Sequence, residues 1–347
     1  MRLTDIHLDA IGARLGRPLD LADAVADGRY AEDEHTANGL LGVVVADDGQ
    51  YAPDMAVEAV RAAMSHSSTT PEDIRLILHA SVYFQGQDMW TPATYIQQRT
   101  IGGSAPSVDV DQKSNGGMAA LALAAGYLSA CDHDAAVLIT TCDRFCLPGW
   151  DRFRSESGTV LGDGATATVL TRRPGFARLL SVAMTADPTL EEMYRGDGLR
   201  AEAAPTDRPL NLRSRKQRYM RKHLRELDAI SRRIAGGVVT AMTTALDEAG
   251  VGLADVKRVV LPNIGKTVHW WTLLAELGVT EERTTWDFGR TIGHLGAGDQ
   301  FAALHHLVRR GELEPGDRVL LAGSGHGFNW AGAVLEVSEA PDWGSED

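Results

Sequence analysis

The sequence predicts an α/β protein of two related halves, each a layer of strands covered by helices. Apolar runs rich in β-branched residues recur as "LLGVVVA", "IRLILHA", "AAVLITT", "ATATVLT", "VKRVVLP" and "DRVLLAG". Such unbroken apolarity fits strands buried on both faces. Helical stretches alternate with them, at Met55 to Ser65, Met118 to Ala130, Arg215 to Gly250 and Asp299 to Arg310, and that alternation calls for helices layered on a sheet. The third observation is an internal echo. "VDVDQKSNGGMAALALAAGYLSACDHDAAVLITT" and "TTWDFGRTIGHLGAGDQFAALHHLVRRGELEPGDRVLLAG" each read as strand, Gly-containing loop, Ala/Leu-rich helix, acidic turn and strand. The expected division lies at residues 1–172 and 173–347.

The bulk properties narrow the function classes. With 347 residues, 44% hydrophobic and 23% charged, the chain is long enough to bury a full core as one large or two closely packed domains. A formal net charge of −13 argues against nucleic acid, whose phosphates are met by a positive surface. No apolar run of about 18 residues is present to span a membrane. The start "MRLTDIHLDAIG" lacks the basic-then-apolar build of a signal peptide, so a cytoplasmic protein is expected. Cys131, Cys142 and Cys146 are odd in number and suit a reducing compartment. With no His cluster or second Cys pair near them, they read as small hydrophobes, and no metal site is expected. The stretch "GDGLRAEAAPTD", residues 196–207, reads as a surface loop.

Both halves of the echo place a chemically capable residue just before the helix, Ser114 in "DVDQKSNGGMAAL" and His294 in "IGHLGAGDQFAAL". Duplicated units would bring these two helix N-termini toward a shared centre, where their exposed N–H groups favour developing negative charge. Taken alone, Ser114 reads first as a helix N-cap. His294 reads equally as a core histidine, and Asp299 as the cap of the helix it opens. Together the three are the types that a nucleophile, base and orienter relay requires. In "AGSGHGFNWAGAVLE" the glycines read either as a tight hairpin or as bare backbone N–H groups for an oxyanion, with Gly325 the candidate donor and His326 a lesser rival base. The run "RSRKQRYMRKHLRELDAISRR" carries nine Lys/Arg between Arg213 and Arg233. It is a solvated helix face or a dock for an anionic partner.

These pieces, taken in order, resemble the thiolase-fold condensing enzymes of the ketoacyl-ACP synthase III type. "DVDQKSNGGMAAL" looks like that family's nucleophile segment and "LGDGATATVL" like its "GDGA" strand. "VVLPNIGK" falls at its Pro-His-Gln-Ala-Asn motif, "IGHLGAGDQFAAL" at its Gly-Asn-Thr-Ser motif, and "GSGHGFNWAGAVLE" at its closing hairpin. The resemblance covers nearly the whole chain and implies a thiolase fold, two duplicated halves in a five-layered αβαβα arrangement. The chain departs from the family at the chemistry: Ser114 stands for the Cys, Asn263 for the usual His, His294 for the usual Asn, and Asp299 is added. That arrangement resembles a subgroup from antibiotic pathways in actinobacteria, containing ester-forming acyltransferases and a Ser-containing starter-unit synthase. An alcohol, unlike a Cys thiol, needs a true base, and His294 with Asp299 supplies one.

The resemblance therefore implies an acyltransferase. An acyl group passes from a coenzyme A or acyl-carrier-protein thioester to Ser114, then to a hydroxyl or amine of a natural-product intermediate. His294 is the expected base, Asp299 its orienter, backbone N–H groups at Ser114 and Gly325 the oxyanion donors, and Asn263 a support for the acceptor or the oxyanion. One rival uses malonyl-ACP to make a starter β-ketoacyl unit in polyketide synthesis, and another is a catalytically silent thiolase-fold partner that binds a carrier protein or forms a heterodimer. No resident cofactor is expected. A homodimer is implied, with Met89 and Trp90 of "VYFQGQDMWTPATY" at the contact that shapes the acyl pocket. Trp90, Arg152, Arg215, Arg218 and Lys266 are the expected substrate or carrier contacts.

Overall fold

The computed structural model describes residues 1–196, 209–268 and 270–343. Apart from Gly196, the expected surface loop at 196–207 lies outside the described residues. The chain opens with β1 (His7–Leu15), β2 (Arg17–Asp20), α1 (Leu21–Ala26), α2 (Glu32–Asn38), β3 (Gly42–Val45), α3 (Ala52–His66) and β4 (Ile74–Ala80). It continues through α4 (Pro92–Arg99), β5 (Ser107–Val110), α5 (Gly116–Leu128), β6 (Ala136–Asp143) and β7 (Gly164–Thr171). After the turn that holds residues 172/173 come β8 (Ala177–Ala186), α6 (Glu192–Arg195), α7 (Leu212–Lys222), α8 (Leu227–Ala249), β9 (Arg258–Val260) and α9 (Trp270–Glu276). The last elements are α10 (Trp286–Ile292), α11 (Asp299–Arg309), β10 (Arg318–Gly325) and β11 (Asn329–Val337).

Nine strands hydrogen-bond in the order β5-β4-β6-β7-β1-β8-β11-β10-β9, while β2 and β3 form a separate ribbon. From the outer edge inward, the first half pairs parallel at β4–β6 and antiparallel at β6–β7 and β7–β1. The second half repeats that pattern in mirror order, parallel at β9–β10 and antiparallel at β10–β11 and β11–β8. The seam is narrow, since β1 meets β8 only at His7↔Arg178 and Leu8↔Ala177. Two sheets thus share one line of hydrogen bonds and fold about it.

Five layers result, as in the thiolase fold. Helix α3 covers the outer face of β1, β6 and β7, and α8 covers the outer face of β8, β10 and β11. Between the sheets lie α5 and α11, each touching strands of both halves. That position explains the Ala/Gly composition of α5. A helix enclosed on nearly every side has room only for small side chains, and Gly116 through Ala122 are all buried.

Two expectations are corrected. The single helix expected from Arg215 to Gly250 is two, α7 and α8, separated by a short 3-10 turn at Leu224–Glu226. The two bury different faces: α7 turns Leu212 and Tyr219 inward, whereas α8 lays Ile230, Val238, Met242 and Leu246 on the sheet side. The strand read in "TTWDFG" shrinks to an isolated bridge between Val259 and Thr284, after which the chain enters α10. Trp286, Gly289 and Ile292 are buried at three-residue spacing, and that periodicity selects a helix. Strands β1 and β8 escaped the sequence reading because polar residues interrupt their apolar pattern.

Candidate active site

The two central helices start at the same place. Chain from β5 turns through Lys113, whose backbone is left-handed at φ 51°, and a 3-10 turn (Lys113–Asn115) delivers Ser114 to the mouth of α5. Such a conformation costs a non-glycine residue energy and persists where its surroundings enforce it. From the other half, the loop Gly293–Gly298 brings His294 to the mouth of α11. The loops touch so closely that a Cβ on Gly117 would sit 2.4 Å from the Ala297 carbonyl oxygen, hence the glycine.

There Ser114 Oγ lies 2.8 Å from His294 Nε2, and His294 Nδ1 lies 2.6 Å from Asp299 Oδ2. With a carboxylate accepting at Nδ1, the neutral ring keeps its proton there, and Nε2 accepts from the Ser114 hydroxyl. Asp299 is fully buried and accepts three further hydrogen bonds: from the Asn263 backbone N–H at 2.7 Å, the Leu295 N–H at 2.7 Å and Asn263 Nδ2 at 3.2 Å. Burial alone pulls the imidazole of His294 down, but the charge and hydrogen bond of Asp299 outweigh it, and the net position is above the ordinary 6.5. The hydroxyl of Ser114 is thus bonded to a base, and no side-chain cap closes the N-terminus of α5.

Asn263 does not face the serine. Its amide donates to the Gly293 carbonyl at 3.1 Å and to Asp299, on the far side of the histidine. Its expected place beside the acceptor is therefore corrected: its contacts support Asp299. Arg152 is corrected as well. Its guanidinium is bound inside the protein by the buried Asp163 of the "GDGA" motif, at 2.9 and 3.2 Å, and by the Leu161 carbonyl at 2.6 Å. Arg215 donates to the Tyr194 carbonyl at 2.8 Å, and Lys266 pairs with Glu281 over the rings of Trp271 and Trp286. Arg218 is exposed on α7 beside Ser214. Trp90 is exposed and packs edge-on against Tyr95 of α4, 5.4 Å between rings.

Gly325, at the end of β10, lies directly on the serine turn, where an added Cβ would meet the Gln112 carbonyl oxygen at 2.5 Å and Asn115 Cβ at 2.8 Å. A cavity of about 590 Å³ opens from Ser114 and His294 past Gly325 and His326 to α7 and α8, where exposed Gln217 and Arg221 stand at its rim. His326 stacks on Tyr194 with ring centroids 3.5 Å apart. Burial, with the charges of Lys216 and His294, pushes His326 down to about 3, far too weak a base to rival His294.

Two further groups at the site carry no signature in the local sequence pattern. Buried Asp143 accepts N–H bonds from Val82 at 2.8 Å, Tyr83 at 2.9 Å and Ala297 at 3.3 Å, tying the histidine loop to the β4 end. Its burial raises the carboxyl to about 7. The second group is Glu156 and Lys216, both on the cavity wall. They lie far apart in sequence, and no local pattern joins them. Among the described residues no cluster of three or more His, Cys, Asp or Glu side chains is placed to hold a metal ion, and no helix is long and apolar enough to cross a membrane.

Fold and site together define a thiolase-fold enzyme of the acyl-transferring class. Residues 108–188 match the 3-oxoacyl-(acyl-carrier-protein) synthase III family and residues 246–337 its C-terminal family. The chain is similar to the acyltransferase ChlB3, at 37% identity and TM-score 0.91, covering 98% of this chain and 99% of that one. It is 28% identical to beta-ketoacyl-(acyl-carrier-protein) synthase III 3 of Streptomyces coelicolor over 333 residues, 93% of this chain and 91% of that protein. The 3-oxoacyl-(acyl-carrier-protein) synthase III of Aquifex aeolicus shares the fold at TM-score 0.77 and 21% identity, covering 95% and 99% of the two chains. The protein belongs to the 3-oxoacyl-(acyl-carrier-protein) synthase III family.

Proposed function

We propose that the protein is a ping-pong acyltransferase acting through acyl-Ser114. The observation that carries this reading is the continuous relay from Ser114 through His294 to Asp299, with bonds of 2.8 and 2.6 Å. As Ser114 Oγ attacks the carbonyl carbon of a coenzyme A or carrier-protein thioester, His294 Nε2 takes its proton. Backbone N–H groups at Ser114 and Gly325 face the oxyanion. The C–S bond breaks, the thiol leaves with the proton from His294, and an ester remains on Ser114. His294 next deprotonates the acceptor, a hydroxyl or amine, whose attack returns Ser114 as the leaving group. Asp299 holds the imidazole tautomer and its cation, and Asn263 holds Asp299.

Acyl transfer is favoured over condensation with malonyl-ACP by Asn263. Its amide is committed to Asp299 and Gly293, so it is not free to stabilise an enolate. Resemblance to ChlB3 supports the same choice. The basic face of α7, with Arg221 at the cavity rim and Arg218 exposed on the same helix, suits the phosphate of a pantetheine-bearing donor. A homodimer through the β5 edge completes the proposal. Val108 on β5, Leu123 and Tyr127 on the neighbouring α5, and Met89 and Trp90 just ahead of α4, which packs on β5, are exposed, and a bare strand edge invites pairing.

Mass spectrometry of the enzyme mixed with a panel of short acyl-CoAs tests the reading. An acyl adduct on Ser114, absent from Ser114→Ala, is expected. An adduct elsewhere, or none across the panel, overturns it, and release of carbon dioxide from malonyl-ACP would favour condensation instead.

A further inference from the structure

The cavity beside Ser114 is largely apolar, walled by Trp150, Leu161, Met193, Ile264, Trp270 and Phe328. Polar side chains also line it, Thr159, Arg213, Lys216 and Ser324 among them, and one is a buried carboxylate. Glu156, 8% exposed, accepts at Oε1 from Lys216 Nζ at 2.6 Å and from the Ser157 N–H at 2.8 Å. Its second oxygen, Oε2, is buried and has no hydrogen-bond partner among the described residues. Lys216 is in turn fixed by the Tyr194 ring, 5.4 Å from its Nζ, and that ring is stacked on His326. A buried carboxylate oxygen without a donor is costly, and most such groups in folded proteins find one. None of the steps from Ser114 to the acceptor uses this carboxylate.

We infer that Glu156, held in place by Lys216, accepts a hydrogen bond at Oε2 from a hydroxyl of the substrate in the Ser114 cavity, and so sets specificity for a hydroxylated substrate. This rests on the acyl-transfer reading and deepens it. The neighbouring charges select the neutral donor. The ammonium of Lys216 repels a second cation, and the carboxylate of Glu156 repels an anion, whereas a hydroxyl meets neither penalty. The hydroxyl belongs to the acyl group or to the acceptor, and the two half-reactions separate these sources. A buried polar group built to meet a hydroxyl discriminates strongly against the analogue lacking it, whose binding leaves the oxygen unpaired.

The test times acylation of Ser114 by mass spectrometry with matched thioesters, 3-hydroxybutyryl-CoA against butyryl-CoA and 4-hydroxybenzoyl-CoA against benzoyl-CoA. A second arm loads the enzyme from acetyl-CoA and follows transfer to 1,2-cyclohexanediol against cyclohexanol. Wild-type enzyme is expected to favour the hydroxylated member by about tenfold or more in one of the two arms, the worth of a hydrogen bond to a charged group. Glu156→Gln is expected to shrink that ratio to below about threefold, with Glu156→Asp restoring part of it. If thermal melting shows that Glu156→Gln does not fold, Lys216→Gln is the second variant and is expected to blunt the same ratio. Equal rates for both members in both arms of the wild type overturn the inference, as does a ratio unchanged in a folded variant. Adduct formation on Ser114 without hydroxyl preference leaves the acyl-transfer reading standing. Absence of any adduct removes both.

Discussion

An alcohol is a poor nucleophile at neutral pH, so the chemistry at Ser114 turns on the base beside it. His294 is placed for that role by four hydrogen bonds converging on Asp299, two of them from Asn263. Asp299→Asn is expected to lower the acyl-transfer rate by roughly 10³- to 10⁴-fold, because the amide no longer fixes the tautomer or offsets the cation. The pH profile gives an independent check. A base acts when neutral, so activity rises with pH through the His294 pKa, which lies above 6.5. Removing the Asp299 charge moves that midpoint to lower pH. A midpoint unmoved in Asp299→Asn, read from initial rates across the neutral pH range, would show that Asp299 does not govern the imidazole. The residue types of this relay were readable from the sequence, as was the reason a serine needs a carboxylate behind its histidine. The direction of Asn263 was not, because an amide can turn to either side of the loop that carries it, and only the position of Asp299 decides.

At the scale of elements, the site depends on how closely two helix mouths approach. Gly117 is the point of closest contact. An alanine methyl there meets the Ala297 carbonyl oxygen at 2.4 Å and Phe301 at 3.1 Å, so α5 and the histidine loop must separate. Gly117→Ala is expected to cost about 1–3 kcal/mol in unfolding free energy, and to lower the acylation rate further by lengthening the Ser114–His294 bond. Denaturant unfolding and single-turnover acylation measure the two effects separately, and a wild-type rate would refute the second. The duplicated strand, loop and helix unit announced this meeting in outline. Its departures lie where side-chain packing overrides local pattern. Trp286 needs a buried face, and α10 forms where a strand was read. The basic stretch after Asn211 bends at His223, where α7 on the cavity wall gives way to α8, which lines the cavity at its start and then lies along the sheet.

Over the whole molecule, three exposed apolar side chains, Val108, Leu123 and Tyr127, fall on β5 and α5 at one sheet edge. Leu123 is 55% exposed and Val108 46%, although most of α5 is enclosed and β5 belongs to the nine-stranded sheet. Burial of such side chains against a second copy is worth on the order of 1.5–3 kcal/mol for each large one. Leu123→Glu is therefore expected to convert the proposed dimer to monomer in analytical ultracentrifugation. An unchanged mass, dimeric or monomeric, would place that surface outside any interface. What the sequence alone determined is the repertoire: a doubled α/β pattern, an acidic composition, and the serine, histidine and aspartate before two Ala-rich helices. These follow from hydrophobic periodicity and residue chemistry, which are local and survive in one dimension. Tertiary structure decided which groups meet. Ser114 and His294 are 180 residues apart, Asn263 faces away from the serine, Arg152 is locked on Asp163, and Glu156 shares a wall with Lys216. Contacts of that range depend on how two sheets fold about a narrow shared seam, and no local pattern encodes a distance through space.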